Sequence, residues 1–107
     1  LEHYQSEIFI RDLEKSIEVT MDRGFLNPNY SLCHGDLGNL DLLLLAATRI
    51  DKYKPLTEFV YEKASSMLQY VQDDNQNWKC GIPGGQQTPN FMVGLSGIGY
   101  QLLRLYN

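Results

Sequence analysis

Residues 31 to 39 read Ser-Leu-Cys-His-Gly-Asp-Leu-Gly-Asn and set a thiol beside an imidazole just ahead of a leucine-rich run, Leu40 to Leu45. The 107-residue chain has only two cysteines and two histidines, so a Cys-His pair invites a chemical reading. Cys33 can act as a small buried hydrophobe, with His34 hydrogen-bonding locally. Cys33 can instead be a nucleophile with His34 as its base, although adjacent side chains rarely converge and catalytic Cys/His pairs usually come from distant segments. Or both can ligate zinc, since thiolate sulfur and imidazole nitrogen bind Zn²⁺ at about 2.3 and 2.0–2.1 Å. Two donors do not complete such a site. Catalytic zinc takes three protein ligands and keeps a fourth position open. Cys80 is the only other thiol and His3 the only other imidazole.

The elements that must position this pair follow from hydrophobic periodicity. From Glu7 to Met21, the residues Ile8, Phe9, Leu13, Ile17 and Met21 form one stripe, with Arg11, Asp12, Glu14, Lys15 and Glu18 opposite, which predicts an amphipathic helix. Gly24 terminates it, and "FLNPNYSL" reads as a loop. A second helix is expected after Gly38, running to about Ile50, apolar almost all round and therefore buried. Pro55 suits the start of a third, Leu56 to about Val71, with Phe59, Val60, Ala64, Met67, Leu68 and Val71 as its core stripe. Residues 72–90 are rich in Asp, Asn, Gln, Gly and Pro, a long connection of the kind that lines sites. "GLSGIGYQLLRLYN" closes the chain as a fourth helix, and no strand-type alternation is present.

Two of these helices share an entry. Gly35-x-x-Gly38 leads to Leu43-Leu44, and Gly94-x-x-Gly97 leads to Leu102-Leu103 at the same offset, so the segments superpose at a shift of 59 residues. The repeating unit is an amphipathic helix, a loop, a Gly-x-x-Gly turn and a more apolar helix. Segments 39–50 and 97–106 are the expected inner helices, with 7–22 and 56–71 outside them. One hairpin cannot bury both faces of its inner helix, and repeat folds need about three or more units. The expected fold class is all-α, part of an α/α toroid, with about two hairpins present. The glycines are expected to serve close packing and positive-φ turns, or to let loops crowd a central cavity.

Bulk composition narrows the partners. Nine basic and thirteen acidic residues give a net charge of −4, with no basic field to attract a phosphate backbone, so no nucleic acid is expected. No apolar run approaches the ~20 residues of a membrane span. Two cysteines so far apart, without a secretion signal, argue against a disulfide and for a cytoplasmic setting. The opening "LEHYQSEIF", without Met, suggests a piece of something longer.

The stretch "CHGDLGN" with its leucine-rich helix, followed by "WKCGIPGGQQTPNFMVGLSGIGYQLLRL", resembles the C-terminal part of a LanC-like cyclase, most closely that of the type II lanthipeptide synthetases (LanM). The likeness covers about Leu32 to Leu105, with its motifs in the right order. It implies that residues 1–107 are a C-terminal fragment of a LanC-like cyclase domain with an α/α toroid fold. It implies a zinc site formed by one upstream Cys together with Cys33 and His34. The catalytic His and Asp of such enzymes belong to segments preceding Leu1, so no catalytic residue is assigned within the chain. Cys80 falls in the Trp-x-Cys-Gly stretch and not at a ligand position. The implied reaction adds a peptide cysteine thiol to dehydroalanine or dehydrobutyrine, giving a thioether ring, with zinc promoting loss of the thiol proton. Its partners would be a dehydrated precursor peptide and the upstream remainder of the synthetase.

Two other classes share the helical pattern. A non-catalytic helical repeat that binds peptides would need no metal and would bury Cys33. A six-hairpin glycosidase fragment would need two carboxylates facing a cavity, with Asp36 and Asp41 the nearest candidates. On the cyclase reading, the 107 residues alone are expected to be inactive, weak in zinc binding and prone to associate.

Overall fold

The computed structural model describes residues 7–26, 29–73 and 78–106, and His3 lies outside them. Among the described residues there are four α-helices and no strand. Helix α1 spans Glu7–Arg23, α2 Asp36–Arg49, α3 Leu56–Asp73 and α4 Leu95–Tyr106, with 3₁₀ turns at Asp51–Tyr53 and Pro83–Gly85. They form two hairpins, α1 with α2 and α3 with α4, the all-α architecture expected of part of a helical-repeat toroid.

Helix α2 is the centre, touching the other three. Leu37, Leu40 and Leu43 are completely buried along it, and Ala46 and Ala47 nearly so. Burial of each such leucine stabilises the fold by about 1.5–3 kcal/mol. The helix is not enclosed all round, because Leu45 stays 41% exposed. From α3, Val60, Ala64 and Met67 enter the core, and Phe59 meets Phe25 edge-on with ring centres 5.8 Å apart. Helix α1 contributes Ile17 with Leu13 and Met21 beside it, while Ile8 at the start of its stripe remains exposed. It ends where expected. The Gly24 amide donates to the Thr20 carbonyl at 2.8 Å, and Asn39 Nδ2 donates to the Gly24 carbonyl at 2.6 Å, fastening the end of α1 to α2.

The second helix begins three residues earlier than its glycine suggested, at Asp36, with Gly35 as the N-cap. Gly38 therefore lies inside the first turn of α2 and does not break it. The reason is spatial: a β-carbon on Gly38 would overlap the Leu32 carbonyl. Gly97, inside the first turn of α4, is in the same position against the Phe91 carbonyl. Among the described glycines, positive φ occurs at Gly84 and Gly85 in the long connection, so the repeat glycines are there for close approach.

The 59-residue repeat extends to individual hydrogen bonds. Asp36 N donates to Asn29 O at 3.1 Å, and Leu95 N donates to Thr88 O at 2.7 Å. Asn39 N and Ile98 N each donate at 3.2 Å to the carbonyl of the glycine that precedes their helix, Gly35 and Gly94. Ser31 Oγ donates to Asn29 Oδ1, and in the second copy Asn90 Nδ2 donates to Thr88 Oγ1. The two α-helices so introduced are then tied together. Asp41 on α2 is ion-paired with Arg104 on α4, and the fully buried Gln101 donates to the same carboxylate oxygen at 3.4 Å.

Candidate functional site

The Cys33–His34 turn is held from below by two short polar side chains. Asn29 and Ser31 are buried, and Asn29 Oδ1 accepts from both the amide and the hydroxyl of Ser31 at 3.0 and 2.7 Å. The Ser31 carbonyl in turn accepts from the amides of Gly35 and Gly38 at 3.1 and 3.2 Å. Amides at the start of α2 that lack intrahelical partners are thereby satisfied by the loop itself. The second repeat braces the turn from the side. Cys33 N donates to Met92 O at 2.8 Å, joining positions that correspond under the repeat. A Cys-His pair thus sits where the other copy carries Met92 and Val93.

Both side chains are exposed, and both cysteines of the chain are free thiols. Exposure removes the reading in which Cys33 is a buried hydrophobe. Beside His34 opens a cleft of about 720 Å³, lined by Asn29, Lys79, Cys80, Gly81 and the turn from Ile82 to Gly85. The long connection therefore walls a cavity, as its length suggested. Tyr30 N donates to Lys79 O at 2.8 Å, and the Tyr30 ring meets Trp78 edge-on at 5.1 Å. Burial of the Tyr30 phenol, reinforced by Tyr70 and then Asp36, raises its pKa above the ordinary 10.0.

Cys80 is buried, and its thiol lies 3.6 Å from the Trp78 carbonyl, as a core residue. Asp41 is engaged by Arg104 and Gln101 and serves the α2–α4 contact. Among the described residues no third His, Cys, Asp or Glu joins Cys33 and His34 in a group able to hold a metal. An accessible thiol and imidazole on consecutive residues of a pinned turn are nonetheless a donor pair of the type zinc takes. They fit as a partial ligand set. Asn29, Ser31, Gly81 and Met92 complete the surroundings. None was singled out by residue type, though the repeat pairs Asn29 and Ser31 with Thr88 and Asn90 and could have marked them.

The model of the lanthionine synthetase C-like protein family matches residues 1–107. A protein of Lactococcus lactis subsp. lactis, the lacticin 481/lactococcin biosynthesis protein LcnDR2, is 32% identical over 95 residues, 88% of this chain. The chain spans about a tenth (10%) of that relative's length. No solved structure matches it. With the family model matching from end to end and the helical repeat in place, the chain belongs to the lanthionine synthetase C-like family.

Proposed function

We propose that this chain is the C-terminal part of a lanthionine cyclase domain in a lanthipeptide synthetase, and that Cys33 and His34 are two of the three protein ligands of a catalytic zinc ion. The observation that carries the reading is the exposed Cys-His pair on a turn braced by both repeats, in a chain of this family. The similarity to a protein named for lacticin 481 biosynthesis supports a precursor peptide as substrate. When bound, zinc supplies the positive charge that lowers the pKa of a peptide cysteine from about 8.5.

What the chain's own residues contribute is position. The Cys33 sulfur and the His34 imidazole would supply two of the metal's protein donors, and the amides of Cys33 and His34, donating to Met92 O and Ser31 Oγ, keep their backbone in place. The neighbouring cleft is large enough for a peptide segment carrying the reacting cysteine or its alkene partner. The reaction is an addition: sulfur bonds to the alkene β-carbon, and a proton ends on the α-carbon. No oxidant or reductant is consumed. The third ligand and the proton donor come from other segments of the synthetase.

The test is a cyclisation assay with the full-length synthetase and a dehydrated precursor, counting free thiols by alkylation and mass spectrometry. Cys33→Ala is expected to leave dehydrated peptide with its cysteines unreacted. Normal ring formation by that variant would defeat the assignment of Cys33 as a zinc ligand.

A further inference from the structure

Gly81 lies directly against the imidazole of His34. A β-carbon placed on it would fall 2.8 Å from both Cε1 and Nε2 of that ring and 2.7 Å from Ser31 Oγ. Such distances are too short for real contacts, so only glycine lets the ring lie where it does. Backbone conformation is not the reason, since positive φ occurs at Gly84 and Gly85 and not here. The segment carrying Gly81 is itself fixed. Its amide donates to Val93 O at 2.7 Å, Cys80 N donates to Gly85 O at 3.2 Å, and Lys79 O accepts from Tyr30 N at 2.8 Å. An exposed histidine is otherwise free to change rotamer. Here the tip of the ring abuts a backbone surface pinned to both repeats.

We propose that Gly81 is a positioning residue: it seats the His34 ring and so orients a ligand of the metal site, which in its metal aspect rests on the zinc reading above. Groups that orient a ligand without touching the metal commonly change affinity by about 10–100-fold when altered. Gly81→Ala pushes the ring from its seat while leaving both proposed donors in the chain.

The experiment uses the full-length synthetase, with the wild-type enzyme as the reference. Two readouts are taken. Metal-stripped enzyme is treated with diethyl pyrocarbonate and modification of His34 is followed by peptide mass spectrometry. Zinc affinity and the absorption spectrum of the cobalt(II)-substituted enzyme are then measured. Gly81→Ala is expected to speed modification of His34 several-fold, weaken zinc binding by about 10–100-fold and alter the cobalt bands. Should the β-carbon disrupt folding through Ser31 Oγ, the pair Ser31→Ala/Gly81→Ala, compared with Ser31→Ala, isolates the contact with His34. Unchanged His34 reactivity would overturn the seat. Changed reactivity with unchanged zinc affinity and cobalt spectrum would overturn its role toward the metal. A wild-type enzyme that binds no zinc would instead overturn the zinc reading and the metal part of this proposal, while the modification arm still decides whether Gly81 seats the ring.

Discussion

At Gly38 and Gly97 the first helical turn passes so close to a loop carbonyl that a β-carbon has nowhere to go, whereas Gly99, two residues further along α4, faces open space. The same residue type therefore carries opposite expectations. Gly97→Ala should destabilise the fold by about 1–3 kcal/mol through overpacking. Gly99→Ala should stabilise it by roughly 0.5–1 kcal/mol, since alanine loses less backbone entropy in a helix interior. Chemical denaturation of the two variants checks both signs. Spacing made the Gly-x-x-Gly repeat visible, but it presented Gly38 as a helix boundary. Nothing in local sequence tells a packing glycine from a breaking one, because the atom that would clash belongs to Leu32, six residues away. Cys33 and His34 were legible from their types. Asn29 and Ser31 beneath them were legible only through the repeat and not from their types, since their role depends on a turn that brings two buried polar groups together.

Between elements, contact is made by few groups, and each can be tested separately. Asp41 and Arg104 join α2 to α4 with about a third of each side chain exposed (34% and 31%). Their coupling in a double-mutant cycle should be about 1 kcal/mol at most, given solvent screening. Gln101→Ala should cost more, roughly 1–3 kcal/mol, because it removes a buried partner from both charges. The link between the loop before α2 and the long connection runs through Tyr30. With its pKa raised in the folded state, the native protein keeps the phenol proton to higher pH than the unfolded chain does. Stability is thus unaffected below the unfolded value of 10.0 and falls as pH rises from there through the folded pKa. Tyr30→Phe should remove one late-titrating tyrosine from the tyrosinate absorbance curve and lessen that alkaline loss. Helix existence and type followed from periodicity. The long connection's path over His34 did not, being set by backbone bonds such as Gly81 to Val93 that polar composition does not encode.

On the scale of the whole molecule, two hairpins leave apolar surface uncovered. Leu103 and Tyr106 on α4 are 64% and 87% exposed, and with Leu102, Tyr61 and Leu68 they line a groove of about 550 Å³ between α3 and α4. Exposed apolar surface of this kind is suited to contact with further protein, and among the described residues no helix is long and apolar enough to cross a membrane. The 107 residues on their own should associate at micromolar concentration, form no thioether rings and bind zinc weakly; light scattering with a cyclisation assay checks this, and a monomeric, active chain would refute it. The central claim is the ligand role of the Cys-His pair, and zinc stoichiometry of the purified full-length synthetase tests it most directly. Wild type and Cys80→Ala, whose thiol is turned into the core, should retain one zinc per cyclase domain, while Cys33→Ala and His34→Ala should lose most of it. Undiminished zinc in both Cys33→Ala and His34→Ala would contradict the account.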